Sequence, residues 1–73
     1  MHEYLGNLIT DTLTKNADEL MKGDLINGNQ VVLEVEYHEK QITAHLETPD
    51  GDIQRKRYNK NTKITRIGYY EGM

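Results

Sequence analysis

The sequence predicts an α+β fold in which one N-terminal helix packs on a four-stranded antiparallel β-meander. Apolar residues recur at spacings of three and four near the start, and two later stretches alternate apolar and polar residues. Asn-Gly and Pro-Asp-Gly sequences supply turn signals before and after these stretches. The chain has 73 residues, so we expect a single domain over residues 1–73.

The first predicted element is a helix over residues 3–22. Asp11 precedes Lys15 by four residues, which is a favourable ion-pair spacing on an exposed helix face. Gly23 suits the left-handed conformation that commonly ends a helix. The apolar residues that would share the buried helix face are Leu5, Leu8, Ile9, Leu13, Ala17, Leu20 and Met21.

The next predicted elements are strands over residues 30–38 and 41–48, joined as a hairpin. A two-residue turn at Glu39-Lys40 would pair apolar residues with apolar residues across the strands. The predicted pairs are Tyr37 with Ile42, Val35 with Ala44 and Leu33 with Leu46. The face expected under the helix comprises Val31, Leu33, Val35, Tyr37, Ile42 and Leu46.

The last two predicted strands cover residues 52–58 and 63–70. Pro49 and Gly51 fit the first central and the left-handed positions of a hairpin turn that ends in a bulge. This register places His45 opposite Arg55. It also puts the basic side chains at 55 and 57 on the same sheet face as the acidic side chains at 34, 36 and 47.

Charge is distributed unevenly along a chain whose net charge is −3. Residues 1–53 carry eleven acidic and three basic residues, a net −8, and residues 54–73 carry six basic residues and one acidic residue, a net +5. Such asymmetry indicates a charged partner if the two regions stay apart in space.

The acidic cluster suggests the first function, a small non-enzymatic protein–protein interaction module. Carboxylates two residues apart can imitate phosphates, so one form is an inhibitor that occupies the DNA-binding surface of a basic host protein, as small phage or mobile-element genes encode. An ordinary solvated sheet face explains the same pattern. The expected partner-binding residues are Glu34, Glu36, Glu39 and Glu47.

The basic segment suggests a second function, a nucleic-acid-binding module in which Tyr58 stacks on a base. The competing interpretation is that the basic strand offsets the charge of the acidic hairpin beside it, and we favour it because the chain is net acidic. The residues of this alternative are Arg55, Lys56, Arg57, Lys60, Lys63 and Arg66. A third hypothesis is a structural homodimer with Tyr37, Tyr69, Tyr70 or the edge of the last strand at its interface.

The sequence offers no support for catalysis, a cofactor or a metal. It has no Cys or Ser, no phosphate loop and no dinucleotide fingerprint. Its histidines, His2, His38 and His45, do not have metal-ligand spacing, and we expect pairing with carboxylates instead. No apolar run approaches the roughly 20 residues of a membrane span, and no secretion signal is apparent, so we expect a cytoplasmic protein without membrane contact.

Overall fold

The protein forms one six-stranded antiparallel sheet with a short 3-10 helix and, within residues 7–72, no α-helix. The computed structural model describes residues 7–72. The elements are β1 (Asn7–Asn16), a 3-10 helix (Ala17–Glu19), β2 (Asp24–Ile26), β3 (Gln30–Tyr37), β4 (Gln41–Glu47), β5 (Ile53–Asn59) and β6 (Lys63–Glu71). The strand order across the sheet is β1-β6-β2-β3-β4-β5. None of the helical structure in this part of the chain is long and apolar enough to cross a membrane.

The prediction of an α+β fold with an N-terminal helix is wrong. Residues 7–16 form β1, which pairs antiparallel with β6, and only three residues beyond it are helical. Thr10, Thr12 and Thr14 are all exposed, and β-branched residues of this kind favour an extended strand. Residues 3–6 of the predicted helix lie outside the described residues.

The prediction of a four-stranded meander is also wrong, although all four of its strands are present. They are β3, β4, β5 and β6, with ends within one residue of those predicted. The last strand does not pair with β5 but lies between β1 and β2. The turn that precedes it is tied to the 3-10 helix, where the N–H groups of Ala17 and Asp18 donate to the carbonyls of Thr62 and Lys60 at 2.8 and 3.2 Å.

The register between β3 and β4 is as predicted near their turn and shifts toward the start of β3. Val35 lies opposite Ala44, but Val32 rather than Leu33 lies opposite Leu46. A β-bulge between Val32 and residue 34 causes the shift, since it adds one residue to β3 and exchanges the faces of the residues before it. Val32 is therefore fully buried, whereas Leu33 is partly exposed.

One hydrophobic core lies inside the curled sheet. Ile42 of β4 and Ile64 of β6 belong to the same cluster, although two strands separate β4 from β6 in the sheet. The sheet must therefore bend around this cluster, and the segment at Ala17 and Leu20 covers it. The buried members are Ala17, Leu20, Ile26, Val32, Ile42, Ala44, Leu46 and Ile64.

Besides Leu33, two residues predicted for the core lie elsewhere. Val31 packs with Leu25 in a second, smaller cluster on the opposite sheet face, and Tyr37 is 60% exposed at the end of β3. The bulge accounts for Val31, because it places Val31 and Val32 on the faces opposite to those predicted.

Gly68 permits the close approach of β1 to β6. It is buried and lies opposite both Thr10 of β1 and Leu25 of β2. A Cβ atom at this position would lie 2.6 Å from the backbone oxygen of Ile9, closer than non-bonded atoms pack. Glycine at this position therefore lets β6 hold β1 and β2 on its two sides.

Candidate functional site

The candidate site is the outer face of β3, β4 and β5, on the side of the sheet away from the core. Two rows of side chains cross the three strands there. The first row consists of Glu34, His45 and Arg55, and the second consists of Glu36, Thr43 and Arg57. The predicted pairing of His45 with Arg55 is confirmed. We call this surface the outer charged face; its residues are Glu34, Glu36, His38, Thr43, His45, Arg55 and Arg57.

The turn between β4 and β5 fixes the register of this face. The N–H of Gly51 donates to the carbonyl of Thr48 at 2.9 Å, and Gly51 has a φ of +91°, which favours glycine. The N–H of Thr48 in turn donates to the carbonyl of Asp52 at 2.9 Å. The strands leave this turn in a regular register, so Arg55 lies opposite His45.

Hydrogen bonds hold the middle of the outer charged face in one arrangement. The Nε2 atom of His45 is hydrogen-bonded to Oε2 of Glu36, and Nε2 of His38 lies 2.9 Å from Oγ1 of Thr43. The hydrogen bond with His45 holds the pKa of Glu36 below its ordinary value of 4.5, and electrostatic interactions with His45, His38 and Arg55 act in the same direction. Glu36 is therefore a fixed, ionised carboxylate at neutral pH.

The arginines of the face stand at a shallow, open depression of about 340 Å³. Arg55 and Arg57 line it together with Glu36, His38 and Thr43. Both arginines are exposed, and neither forms an ion pair or a side-chain hydrogen bond with any residue in the range 7–72. The basic strand thus shares a face with the acidic strand, as predicted, but its guanidinium groups remain free of direct partners within those residues.

Only part of the acidic cluster predicted from the sequence is exposed. Glu34, Glu36 and Glu39 are exposed. Glu47 is only 7% exposed, because it lies on the outer face between Val31 of β3 and Ile53 of β5, beside the second apolar cluster. The exposed carboxylates of the first hairpin are therefore confined to the half of the sheet near the turn at residues 38–40.

The basic cluster is dispersed by the fold. Lys56 is exposed but lies opposite Ala44 and so points to the sheet face opposite to that of Arg55 and Arg57. Lys60 is partly buried in the turn after β5, and Lys63 is exposed at the start of β6. These residues do not form one continuous basic surface.

Arg66 belongs to a buried ion-pair network. Its Nη2 donates to Oδ2 and to the carbonyl oxygen of Asp11, at 2.9 and 3.0 Å, and its Nη1 lies 3.9 Å from Oδ1 of Asp24. Lys15 donates to Oδ2 of Asp24 at 2.9 Å, so the ion pair of Lys15 is with Asp24 rather than with Asp11. Arg66 is 8% exposed and its guanidinium stands 5.0 Å from the ring centre of Tyr69, which makes it a structural residue.

The tyrosines are mostly engaged within the fold. Tyr58 packs against the core and its hydroxyl lies 3.4 Å from the side-chain amide of Asn27, so it is not free to stack on a base. Tyr70 packs on the second cluster, and Tyr69 lies beneath the guanidinium of Arg66. Only Tyr37, among the tyrosines of residues 7–72, is largely exposed. The last strand, β6, lies between β1 and β2 and is not an edge strand; among residues 7–72 the edge strands are β1 and β5.

Within residues 7–72, no group of three His, Asp or Glu side chains is arranged to hold a metal ion. His2 lies outside the described residues.

Comparison with protein-family models, with curated proteins and with solved structures finds no match for this chain.

Proposed function

We propose that the chain is a small binding module that contacts a protein partner through the outer charged face. The observation that carries this proposal is that one sheet face presents exposed carboxylates on β3 and exposed guanidinium groups on β5, and that these guanidinium groups have no direct partner within residues 7–72. Arginine is enriched at protein interfaces, where its guanidinium forms directed hydrogen bonds with carboxylates.

The charge pattern of the face indicates which charges a partner should present to it. Glu34 and Glu36 contribute −2 and Arg55 and Arg57 contribute +2, so the four side chains sum to zero. A uniformly basic DNA-binding surface would be repelled by the arginines, and a nucleic acid would be repelled by the glutamates. A partner that presents acidic groups to the arginines and basic groups to the glutamates satisfies both halves, and complementary patterns of this kind favour specificity.

Charge reversal on the face tests the proposal. The immobilised chain is compared with Glu34→Lys/Glu36→Lys and with Arg55→Glu/Arg57→Glu in quantitative capture from a cell lysate. Lys63→Glu, on an exposed position outside the face, is the matched control. We expect a partner retained by the wild type and the control to fall at least about tenfold in both double variants.

Circular dichroism must show the same sheet content in all four proteins. A partner captured equally by all of them would contradict the proposal. Binding of labelled DNA or RNA at about 50 mM salt that is lost in Arg55→Glu/Arg57→Glu would instead support the second candidate, nucleic-acid binding at Arg55 and Arg57.

A further inference from the structure

Strand β5 is an open edge of the sheet. It pairs with β4 on one side and is the last strand in the sheet order on the other. Residues 53–57 are all exposed, and among the residues that the structure describes no backbone group in this stretch bonds to any strand other than β4. An unpaired strand edge is a template for a further strand.

The backbone groups that point out of this edge include those of both arginines. The bond from the N–H of Thr48 to the carbonyl of Asp52 marks a hydrogen-bonded pair at the start of the β4–β5 ladder. In a regular antiparallel ladder such pairs recur at every second residue, so residues 54, 56 and 58 bond to β4. Arg55 and Arg57 consequently direct their N–H and C=O groups away from β4, toward the free edge.

Self-pairing of this edge is disfavoured by its charge. Arg55, Lys56 and Arg57 are consecutive, and none of them is ion-paired within residues 7–72. A second copy of β5 placed alongside would set like charges against each other on both faces of the added strand, which is destabilising. The occupant that fits the edge is therefore a strand of opposite charge.

We propose that the free edge of β5 binds an extended acidic segment of the partner protein as an added strand, with carboxylates at alternate positions opposite Arg55 and Arg57. Main-chain hydrogen bonds to the two arginines would supply affinity, and carboxylate–guanidinium pairs would supply charge selectivity. This inference rests on the proposed function and specifies the chemistry of the partner at the basic side of the outer charged face.

The glutamates of β3 do not oppose such a partner strongly. Neighbouring strands lie about 4.8 Å apart, so Glu34 and Glu36 would be about 14 Å from the added strand, three strand spacings away. This distance exceeds the Debye length of about 8 Å at physiological salt. The arginines lie only one spacing from the added strand, so the attraction they exert outweighs the repulsion from β3.

The test uses a fluorescein-labelled peptide, Thr-Val-Glu-Val-Glu-Val-Thr, in fluorescence anisotropy with the full chain. Lysine replaces glutamate in a second peptide. A third is N-methylated at the two glutamates, whose N–H groups would point at β5, and a fourth is N-methylated at the two outer valines, whose N–H groups would point away. The fourth peptide is the matched control for the third.

We expect the first and fourth peptides to bind, and the second and third to bind at least about tenfold more weakly. Arg55→Glu/Arg57→Glu should lose the glutamate peptide and gain the lysine peptide, while Lys63→Glu should behave as the wild type. Equal binding of the third and fourth peptides, or no binding of the first, would overturn the inference. If the peptides fail in either way but Arg55→Glu/Arg57→Glu still loses the partner captured from lysate, the strand-addition inference is wrong and the proposed function survives. If partner capture by that variant is also unchanged, the inference and the proposed function are both wrong.

Discussion

Leu33→Ala and Leu46→Ala remove the same atoms from neighbouring strands, yet the bulge in β3 leads us to expect very different losses in the free energy of unfolding. Leu46 is 0% exposed and belongs to the main core cluster, whereas Leu33 is partly exposed and lies outside it. Truncation of a fully buried leucine costs about 2–5 kcal/mol, because the transfer free energy and a cavity both contribute. Leu33→Ala leaves no enclosed cavity, so only part of the transfer term is lost, about 1 kcal/mol.

The difference is large compared with the total stability expected for this chain. At roughly 0.05–0.15 kcal/mol per residue, a chain of 73 residues has a free energy of unfolding of about 4–11 kcal/mol. Leu46→Ala therefore removes a large fraction of it, and Leu33→Ala a small one. Replacement of the fully buried Val32 by Ala provides a second check on the same strand.

Urea unfolding followed by far-UV circular dichroism measures both losses, since the chain has no Trp to serve as a fluorescence probe. With a slope of about 1 kcal/mol/M, a loss of 3 kcal/mol lowers the midpoint by about 3 M. All proteins are compared in the same concentration of sodium sulfate, so that the weakest variant keeps a folded baseline. Equal losses for Leu33→Ala and Leu46→Ala would show that β3 alternates without a bulge, and would refute the assignment of Val32 to the core and of Val31 to the opposite face.

Two further predictions concern the buried ion pair and the pH dependence of the face. Asp24→Asn leaves Lys15 buried without its anionic partner and should cost about 3–5 kcal/mol in urea unfolding; a loss below about 1 kcal/mol would show that the ammonium group reaches water. Because the hydrogen bond with His45 lowers the pKa of Glu36, this carboxylate stabilises the fold above pH 4.5 and loses that effect as the pH falls through its folded-state pKa. An NMR titration of Glu36 should give a higher midpoint in His45→Ala than in the wild type, with a smaller change in the control His38→Ala, and three equal midpoints would contradict the pairing.

The strands after residue 30 could be predicted because their signals are local. Alternation of apolar and polar residues defines a strand, and the turn residues between strands fix how neighbouring strands pair. The turn at Pro49 and Gly51 set the β4–β5 register, and with it the position of Arg55 opposite His45. The shared face of Arg55 and Glu34 followed from the same reasoning.

The apolar spacing of the first strand predicts a helix, although the same spacing is compatible with a regular strand. Ile9 and Leu13 are four residues apart, which places them on one face of a helix and also on one face of a regular strand, where every even spacing shares a face. The register shift between Thr10 and Leu13 then places them on opposite faces of β1. The signal that separated the two was the run of threonines at alternate positions 10, 12 and 14. Pairing with β6, whose partner residues lie 47 to 64 positions further along the chain, decides the outcome, and no local pattern indicates it.

The burial of individual charged side chains could not be predicted from the sequence, because it also depends on contacts between distant segments. Arg66 is buried because β6 lies between β1 and β2, which bring Asp11 and Asp24 to it from opposite sides. Glu47 is buried because the bulge in β3 turns Val31 toward it. Both outcomes depend on contacts between distant segments and on one added residue in β3.

The burial of some charged residues shows which positive charges of the chain remain available to a partner. Lys15 and Arg66 are neutralised inside the fold, whereas Arg55 and Arg57 stand unpaired on an edge strand within residues 7–72. Positive charge on an edge strand protects a sheet against pairing with its own copies, and the same charge would select an acidic strand. Protection against self-pairing and selection of an acidic strand are compatible roles. Arg55→Glu/Arg57→Glu separates them, because two copies of the variant edge still oppose like charges, whereas an acidic partner strand now meets negative charge. Loss of the acidic peptide in that variant therefore reports on recognition, since protection against self-pairing is retained.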